Sequence, residues 1–390
     1  MPLGTRSRWL LLTFLAGCAI AALVGMVVLF PHSGAAEQPH LAYSAPGTTY
    51  PEATVIQVQH SCPGNHQTST GGCAQIRVRV SEGVARGESV TVQLSAADAS
   101  SGLRAGDRVE LIRTPGSNGA ADSFAFFGVV RHNAMWALGV LFLLVVVAVA
   151  RLRGLLAVVS LSVGGAVVLE FMLPALLQGH SGVGVALSGS TVIMFVVLYL
   201  THGISLRTST ALAGTLLGIG LTTVIGWYAV RGGRLSGVGD DASGLLSGQV
   251  HLNFQGLFMC MTIVAALGVL NDVTITQVSA VWELRAAAPE ASLRSLFSAG
   301  MRIGRDHLAS TIYTLVFAYV GTAMATLLLV QLYAMPASSV LNSEDIAEEV
   351  LRTLTSSIGL VLTVPFTTAL AALLAGTARA PRASRNQLVA

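Results

Sequence analysis

The feature that most constrains this chain is a series of apolar stretches, each about 20 residues long. A helix rises 1.5 Å per residue and needs about 20 apolar residues to cross the hydrocarbon core of a bilayer. Hydrophobic residues make up 53% of the 390, and charged residues only 11%, whereas a soluble domain carries about 25% charged residues. The sequence therefore predicts an integral membrane protein.

Eight stretches are long enough to span the bilayer, or nearly so: Trp9 to Phe30, Ala134 to Ala150, Leu155 to Leu177, Val183 to Leu200, Thr208 to Val230, Gly256 to Val281, Ser310 to Tyr333 and Val350 to Gly376. They predict a polytopic α-helical protein with about eight transmembrane helices. The predicted parts are an N-terminus with a first anchor at 1–30, a β domain at 31–132, a seven-helix core at 133–377 and a basic tail at 378–390.

The distribution of arginine predicts the orientation of the chain. Short loops rich in Arg stay on the cytoplasmic side, and here every second loop is basic. Both termini are therefore predicted to be cytoplasmic and the β domain extracytoplasmic. The first stretch contains Leu15-Ala16-Gly17-Cys18, which looks like a lipoprotein processing site. We favour an uncleaved anchor, because the apolar run continues past Cys18 to Phe30.

Between the first two apolar stretches the residues alternate between polar and β-branched types, which is typical of short half-buried strands. Five strands are predicted: Thr54 to Gln59, Gln75 to Val80, Glu88 to Leu94, Arg108 to Arg113 and Phe124 to Val130. In the second strand Ile76, Val78 and Val80 share one face, so this face is expected to enter a core. Five short strands suggest a small all-β barrel of OB-like type.

Two cysteines lie in one loop of the β domain, on the oxidising side of the membrane. A disulfide between Cys62 and Cys73 is the favoured interpretation. The alternative is a metal site, because His60 and His66 add two more soft ligands within the same loop. Their spacing matches no common zinc motif, so no metal and no cofactor is predicted.

Polar groups inside the apolar stretches are candidates for a binding site, because an ionisable side chain in the bilayer is costly and is often functional. The candidate ion or solute site comprises Asp272, Asn271, Thr276, Glu170 and His202. A functional role is favoured for Asp272, whereas hydrogen bonding between helices is favoured for its polar neighbours Asn271, Thr274, Thr276 and Gln277. Glu170 lies four residues before Pro174 and is equally compatible with a place near the headgroups. A purely interfacial role is favoured for His202.

Two other patterns predict helix packing and surface contacts. Gly214 and Gly218 have the GxxxG spacing that lets helices approach closely. Residues 289–308 have Leu and Phe on one side and Arg on another, which predicts an amphipathic helix in the cytoplasmic interface. Docking of a cytosolic partner is the alternative for this helix. The polar cluster around His202 is also expected to lie at the depth where the polar stripe near Asp272 ends.

The chain lacks the motifs of several functional classes. It contains no P-loop, no H-E-x-x-H and no GxSxG sequence, so no enzyme activity is predicted. Its Arg residues are dispersed and not interleaved with aromatic residues, which excludes a nucleic-acid face.

Three segments resemble the YibE/F-like family of bacterial membrane proteins: Tyr199 to Thr208, Gly268 to Gln277 and Ile346 to Arg352. The resemblance implies an extracytoplasmic domain followed by a multi-span core in the bacterial cell membrane, and it assigns no activity. We therefore expect a transporter or permease for an ion or small solute. The alternative is a scaffold or sensor whose β domain binds a partner. The expected partners are the lipid bilayer, a small solute or ion, and a second copy or an envelope component.

Overall fold

The computed structural model describes residues 3–31, 47–59, 74–116, 121–248, 250 and 252–375. The chain divides into two compact units, one at 39–148 and the other formed by 1–38 and 149–390. The first unit contains a five-stranded sheet, and the second is helical.

The five predicted strands are confirmed, each within two residues of its predicted ends. The strands are β1 (Glu52–Gln59), β2 (Ala74–Val80), β3 (Ser89–Leu94), β4 (Arg108–Thr114) and β5 (Ser123–Val129). All pairs are antiparallel, in the order β3-β2-β1-β4-β5. The outer strands β3 and β5 also contact each other, so the sheet curls into a near-barrel. A short helix, α2 (Ala96–Ala99), follows β3.

The alternation predicted for β2 explains the core of this unit. Ile76, Val78 and Val80 are buried, whereas Arg77 and Arg79 are exposed. Successive side chains of a strand point to opposite faces, so a single pattern of residues supplies both a core face and a solvated face.

An ion pair ties the end of β4 to the start of β5. Asp122 accepts hydrogen bonds from the backbone N–H of Gly116 at 3.1 Å and from the Arg113 guanidinium at 2.6 Å. These donors favour the charged carboxylate. The Gly116 N–H, followed by the Arg113 side chain, therefore lowers the pKa of Asp122 below its ordinary value.

The second unit is helical, and α3 begins in the first unit and ends in the second. The helices are α1 (Leu3–Val28), α3 (His132–Val167), α4 (Leu173–Leu177), α5 (Gly182–His202), α6 (Leu206–Gly233), α7 (Asp241–Ser247), α8 (Phe254–Ala287), α9 (Leu293–Thr322), α10 (Met324–Leu332), α11 (Ala337–Asn342) and α12 (Glu344–Ala375). Among the described residues, six helices are long and apolar enough to cross a membrane, or seven when the bent pair α9–α10 counts as one span. This differs from the eight separate spans expected from the sequence.

The difference arises between 132 and 177, where two predicted spans lie in one apolar helical run of 46 residues. At 1.5 Å per residue this run corresponds to about 69 Å, roughly twice the hydrocarbon thickness. Its break is a single residue, Arg151, with φ of 54° and ψ of −136°. The sequence pattern locates the break but does not distinguish a kink from a loop.

Pro174 produces a second irregularity in this run. Residues Val168–Met172 form a π-turn, and the N–H of Leu173 donates to the carbonyl of Val168. Proline has no N–H to donate to the carbonyl four residues earlier. The wider turn therefore lies where Pro174 removes a donor from the helix, and it contains Glu170.

Three helices, α6, α8 and α12, pack against one another at the centre of the helical unit. The close approach predicted for Gly214 and Gly218 is confirmed, and the neighbour is α12. A methyl group at Gly214 would lie 2.4 Å from Thr367 Oγ1, and one at Gly218 would lie 2.6 Å from Thr363 Oγ1. Only glycine permits helices to pack at this distance.

The predicted amphipathic helix continues directly into the first half of the seventh predicted span as α9. The second half of that span forms α10, which follows after a bend of 60°. Leu296, Gly300 and Gly304 are buried, while Arg294 and Arg302 are exposed. The apolar side of α9 therefore packs partly on protein, through α8 and α12. The position of 289–308 at the membrane surface stays a prediction.

Candidate functional site

A polar cavity of about 480 Å³ lies where α5 ends and α6 begins. Gly203, with φ of 74°, ends α5, and the Ser205 side chain caps α6 by accepting from the Thr208 N–H at 3.1 Å. This short connection places several polar side chains side by side. The lining residues are Arg153, Thr201, His202, Ser205, Arg207, Thr208, Ile275, Thr276 and Ser279.

The charges of this cavity are mainly positive. Arg207 crosses to α8, where Nε donates to Ser279 Oγ and Nη1 donates to Glu283 Oε1, both at 3.1 Å. Arg153 supplies a second guanidinium. The N-terminus of α6 adds the partial positive charge of a helix dipole. The arrangement suits a small solute that carries a carboxylate or another anion, because guanidinium groups bind such groups with paired hydrogen bonds.

The two polar clusters recognised in the sequence do meet in this cavity. His202 of the first cluster and Thr276 of the second both line it. Thr201 Oγ1 lies 2.6 Å from Nδ1 of His202, and Thr276 Oγ1 donates to the backbone carbonyl of Asp272 at 2.7 Å. Helices α5 and α8 are also in contact with each other.

Asp272 itself does not line this cavity. Its side chain is 62% exposed on the surface of the bundle, and Oδ2 lies 3.6 Å from Nε2 of His307 on α9. Asn271 beside it is half-buried, and its Oδ1 has no hydrogen-bond partner among the described residues. His307 was not recognised from the sequence, because its proximity to Asp272 depends on how α9 packs against α8.

Glu170 lies apart from both Asp272 and His202. It is exposed within the π-turn, and the described part of the chain offers it no ion pair. The structure therefore brings His202 and Thr276 together and leaves Asp272 and Glu170 outside the cavity.

Two other polar residues of α8 hold helices together. Gln277 donates to the Gly300 carbonyl and to Thr368 Oγ1, both at 2.8 Å, and Thr274 lies 2.7 Å from Thr215 Oγ1. All of these contacts are buried. This agrees with the packing role favoured for Thr274 and Gln277 on sequence grounds.

A second polar cavity, of about 350 Å³, lies beyond the opposite end of α6. It is bounded by the segment after α6, the end of α9 and the first turns of α12. Its charged or hydroxyl-bearing lining residues are Asp240, Tyr319, Thr322, Thr326, Asp345, Glu348, Glu349 and Arg352. Sequence reasoning missed this cavity, although the segment Ile346 to Arg352 contributes much of it. An unusual density of carboxylates before an apolar helix was the available signal.

The loop containing His60, Cys62, His66 and Cys73 lies outside the described residues, so the disulfide stays a prediction. Within the described ranges no group of three or more His, Cys, Asp or Glu side chains has the geometry to hold a metal ion.

Comparison with known proteins gives one finding. The sequence model of the YibE/F-like protein family matches residues 138–377, which is more than half of the 390 residues. No curated protein and no solved structure matches. The matched region contains both cavities and all three segments that carry the resemblance, so this chain belongs to the YibE/F-like family of proteins.

Proposed function

We propose that this protein is a permease for a small anionic solute or ion, which binds in the cavity between α5, α6 and α8. The observation that carries the proposal is a polar, mainly cationic cavity at one end of a bundle of apolar helices. Arg153 and Arg207 would pair with the anionic group, and His202 would hydrogen-bond to it. Helices that only anchor a protein do not need such a cavity.

A permease also needs a polar route between the two faces of the membrane, and α6 links the two polar cavities. Buried hydroxyl groups follow the contact between α6 and α12, including Thr222, Ser356, Thr363 and Thr367. Oγ1 of Thr222 and Oγ1 of Thr367 have no hydrogen-bond partner among the described residues. Such groups are costly in an apolar core, so their presence supports a route that water or solute enters in another state of the protein.

Asp272 and Glu170 lie outside the cationic cavity, so their ion-binding role stays a prediction. Asp272 with His307 forms an acid–base pair at the side of the bundle. The proposed setting is the cytoplasmic membrane of a bacterium, with both termini cytoplasmic and the β domain outside.

The test is ligand-induced thermal stabilisation of the purified full-length protein with a panel of carboxylates, phosphate and inorganic ions. A ligand at 100 times its Kd adds about 2.7 kcal/mol to the stability of the folded state. Arg207→Gln should abolish the shift, and so should Arg153→Gln. Arg302→Gln on the exposed side of α9 is the matched control, because it removes the same charge from a residue that does not line the cavity.

A ligand that passes this screen should then enter proteoliposomes that contain the wild-type protein and not those that contain Arg207→Gln. If no anionic compound stabilises the protein, or if Arg302→Gln abolishes the shift as well, a solute site in this cavity is ruled out.

The second candidate function is a scaffold or sensor. The observation that favours it is the near-barrel of the β unit, whose strand order and closing contact between β3 and β5 support the OB-like assignment. OB-like barrels are common binding modules. A variant that lacks residues 39–131 should then lose function in cells while still inserting into the membrane. Full function of that variant would exclude a partner-binding role for the β domain.

A further inference from the structure

The second polar cavity, named the acidic cavity after its carboxylates, contains a buried side chain that the proposed function does not use. Glu348 lies in the first turns of α12, and only 4% of its surface is exposed. Its Oε1 is buried and has no hydrogen-bond partner among the described residues. The carboxyl group lies against the backbone of Gly239, where a methyl group would approach Oε2 to 2.8 Å. A side chain larger than that of glycine at 239 would displace this carboxyl group.

The groups that face Glu348 come from three elements. The segment after α6 contributes Asp240, α9 contributes Tyr319, and α12 contributes Glu344, Asp345, Glu349 and Arg352. Arg352 is the only cation among them. Its Nη1 donates to Glu349 Oε2 at 2.9 Å, and its guanidinium lies 5.2 Å from the ring centre of Phe258. Arg352 therefore forms its hydrogen bond with Glu349, and within the described part of the chain it acts on Glu348 only through space.

A buried carboxylate without a paired donor, surrounded by other carboxylates, is unfavourable as an anion. It needs a proton or a cation. No group of three carboxylate or imidazole side chains in the described ranges has the geometry to coordinate a metal ion, which leaves the proton as the ligand that fits the site as it stands. We propose that Glu348 binds and releases a proton, and that it supplies the proton-binding site of the permease.

The geometry of α12 supports this role. Arg352 and Ser356 follow Glu348 at intervals of four residues, so the three side chains lie on one face of the helix. Ser356 is buried within the bundle. Beyond it, Gly359 lies so close to Thr222 that a methyl group would be 2.1 Å from Oγ1. Polar groups therefore continue from the acidic cavity towards the hydroxyl groups between α6 and α12.

The inference rests on the proposed function for its physiological role, but the proton site can be measured without any solute. The experiment is infrared difference spectroscopy of the full-length protein in lipid nanodiscs as the pH is changed. A protonated carboxyl group has a C=O stretching band that disappears on ionisation. At about pH 6, where exposed glutamates have ionised, the wild-type protein should retain this band and Glu348→Gln should lack it.

Glu290→Gln is the matched control, because Glu290 is exposed and neither lines the acidic cavity nor belongs to the carboxylates that face Glu348. This variant should keep the band. Glu348→Asp, which keeps a carboxyl group, should retain a band at a changed frequency or midpoint. Thermal unfolding of each variant checks that it is folded.

Three results would overturn the proposal: the absence of a band in the wild type at that pH, an unchanged band in Glu348→Gln, or loss of the wild-type band on addition of Na⁺ or Mg²⁺ alone at constant pH. The last result would identify a cation site instead. If the band behaves as expected but no solute binds the cationic cavity, only the proposed permease function fails. If a solute binds and its flux responds to a pH gradient in Glu348→Gln as in the wild type, only the proton site fails.

Discussion

Replacing Gly218 of α6 with alanine tests whether the contact between α6 and α12 determines the stability of the bundle. A methyl group at this position would lie 2.6 Å from Thr363 Oγ1 and 2.9 Å from Leu270 Cδ2, both closer than van der Waals contact. Overpacking of this kind costs about 1–3 kcal/mol. Alanine also gains up to about 1 kcal/mol over glycine inside a helix.

Gly220→Ala supplies the matched control, since no atom lies within 4 Å of its added methyl group. It lies two residues away on the same helix, so the gain in helix propensity is about the same and cancels in the comparison. The free energy of unfolding of Gly218→Ala should therefore be about 1–3 kcal/mol below that of Gly220→Ala. At roughly 2–4 °C per kcal/mol, the Tm should differ by several degrees.

The assay is thermal unfolding of the purified full-length protein, followed by intrinsic fluorescence. Thr363→Ala removes the nearest obstructing atoms. Within the described ranges, the Thr363 hydroxyl bonds only to the Gly359 carbonyl of its own helix. The double variant Gly218→Ala/Thr363→Ala should therefore recover part of the loss caused by Gly218→Ala, measured against Thr363→Ala alone. Equal Tm values for Gly218→Ala and Gly220→Ala would refute the close packing of α6 on α12.

Gln277→Leu should lower the free energy of unfolding by about 1–3 kcal/mol, because it leaves two buried groups without their donor; a Tm equal to that of the wild type would contradict this packing role. Asp122→Asn should increase hydrogen exchange in β4 and β5 at pH 7. The pKa of Asp122 is lowered in the folded state. The stabilisation by this ion pair is therefore present above the pKa of the unfolded state, about 3.9, and is lost as the pH falls through the lower pKa of the folded state. The exchange difference between variant and wild type should therefore vanish in acid, and a difference that persists there would argue against the ion pair. If Cys62 and Cys73 form a disulfide, alkylation of the denatured protein should modify two of its four cysteines before reduction and all four afterwards. Four modified cysteines before reduction would exclude the bond.

Much of the fold followed from local sequence patterns. The five strands were predicted within two residues, because alternating polar and apolar residues specify a half-buried strand without reference to distant parts of the chain. The glycine spacing on α6 likewise predicted a close helix contact. The sequence predicted eight separate spans, one more than the structure has when the bent pair counts as one span. The reason is that an apolar run of 46 residues with an arginine at its break allows either a loop or a kink.

The candidate site was predictable only in part. The polar residues around His202 and Thr276 could be recognised from their positions in apolar helices. Their positions along those two helices also predicted that the two groups lie at the same level and could contact one cavity. The sequence pattern predicted Asp272 as the central group of the site, yet its side chain is exposed beside His307. The sequence does not distinguish Glu348 from the other carboxylates before the last apolar stretch, yet Glu348 is buried.

The sequence by itself determined that the chain has helices long and apolar enough to span a membrane and a separate β unit, because helix length, apolarity and strand alternation are properties of neighbouring residues. Only the tertiary structure decided which polar side chains are buried. Burial depends on how each helix is rotated about its axis and on neighbours that are distant in the sequence. Glu348 is enclosed by Gly239 and Tyr319, more than 100 and nearly 30 residues away, and no local pattern on α12 specifies either contact.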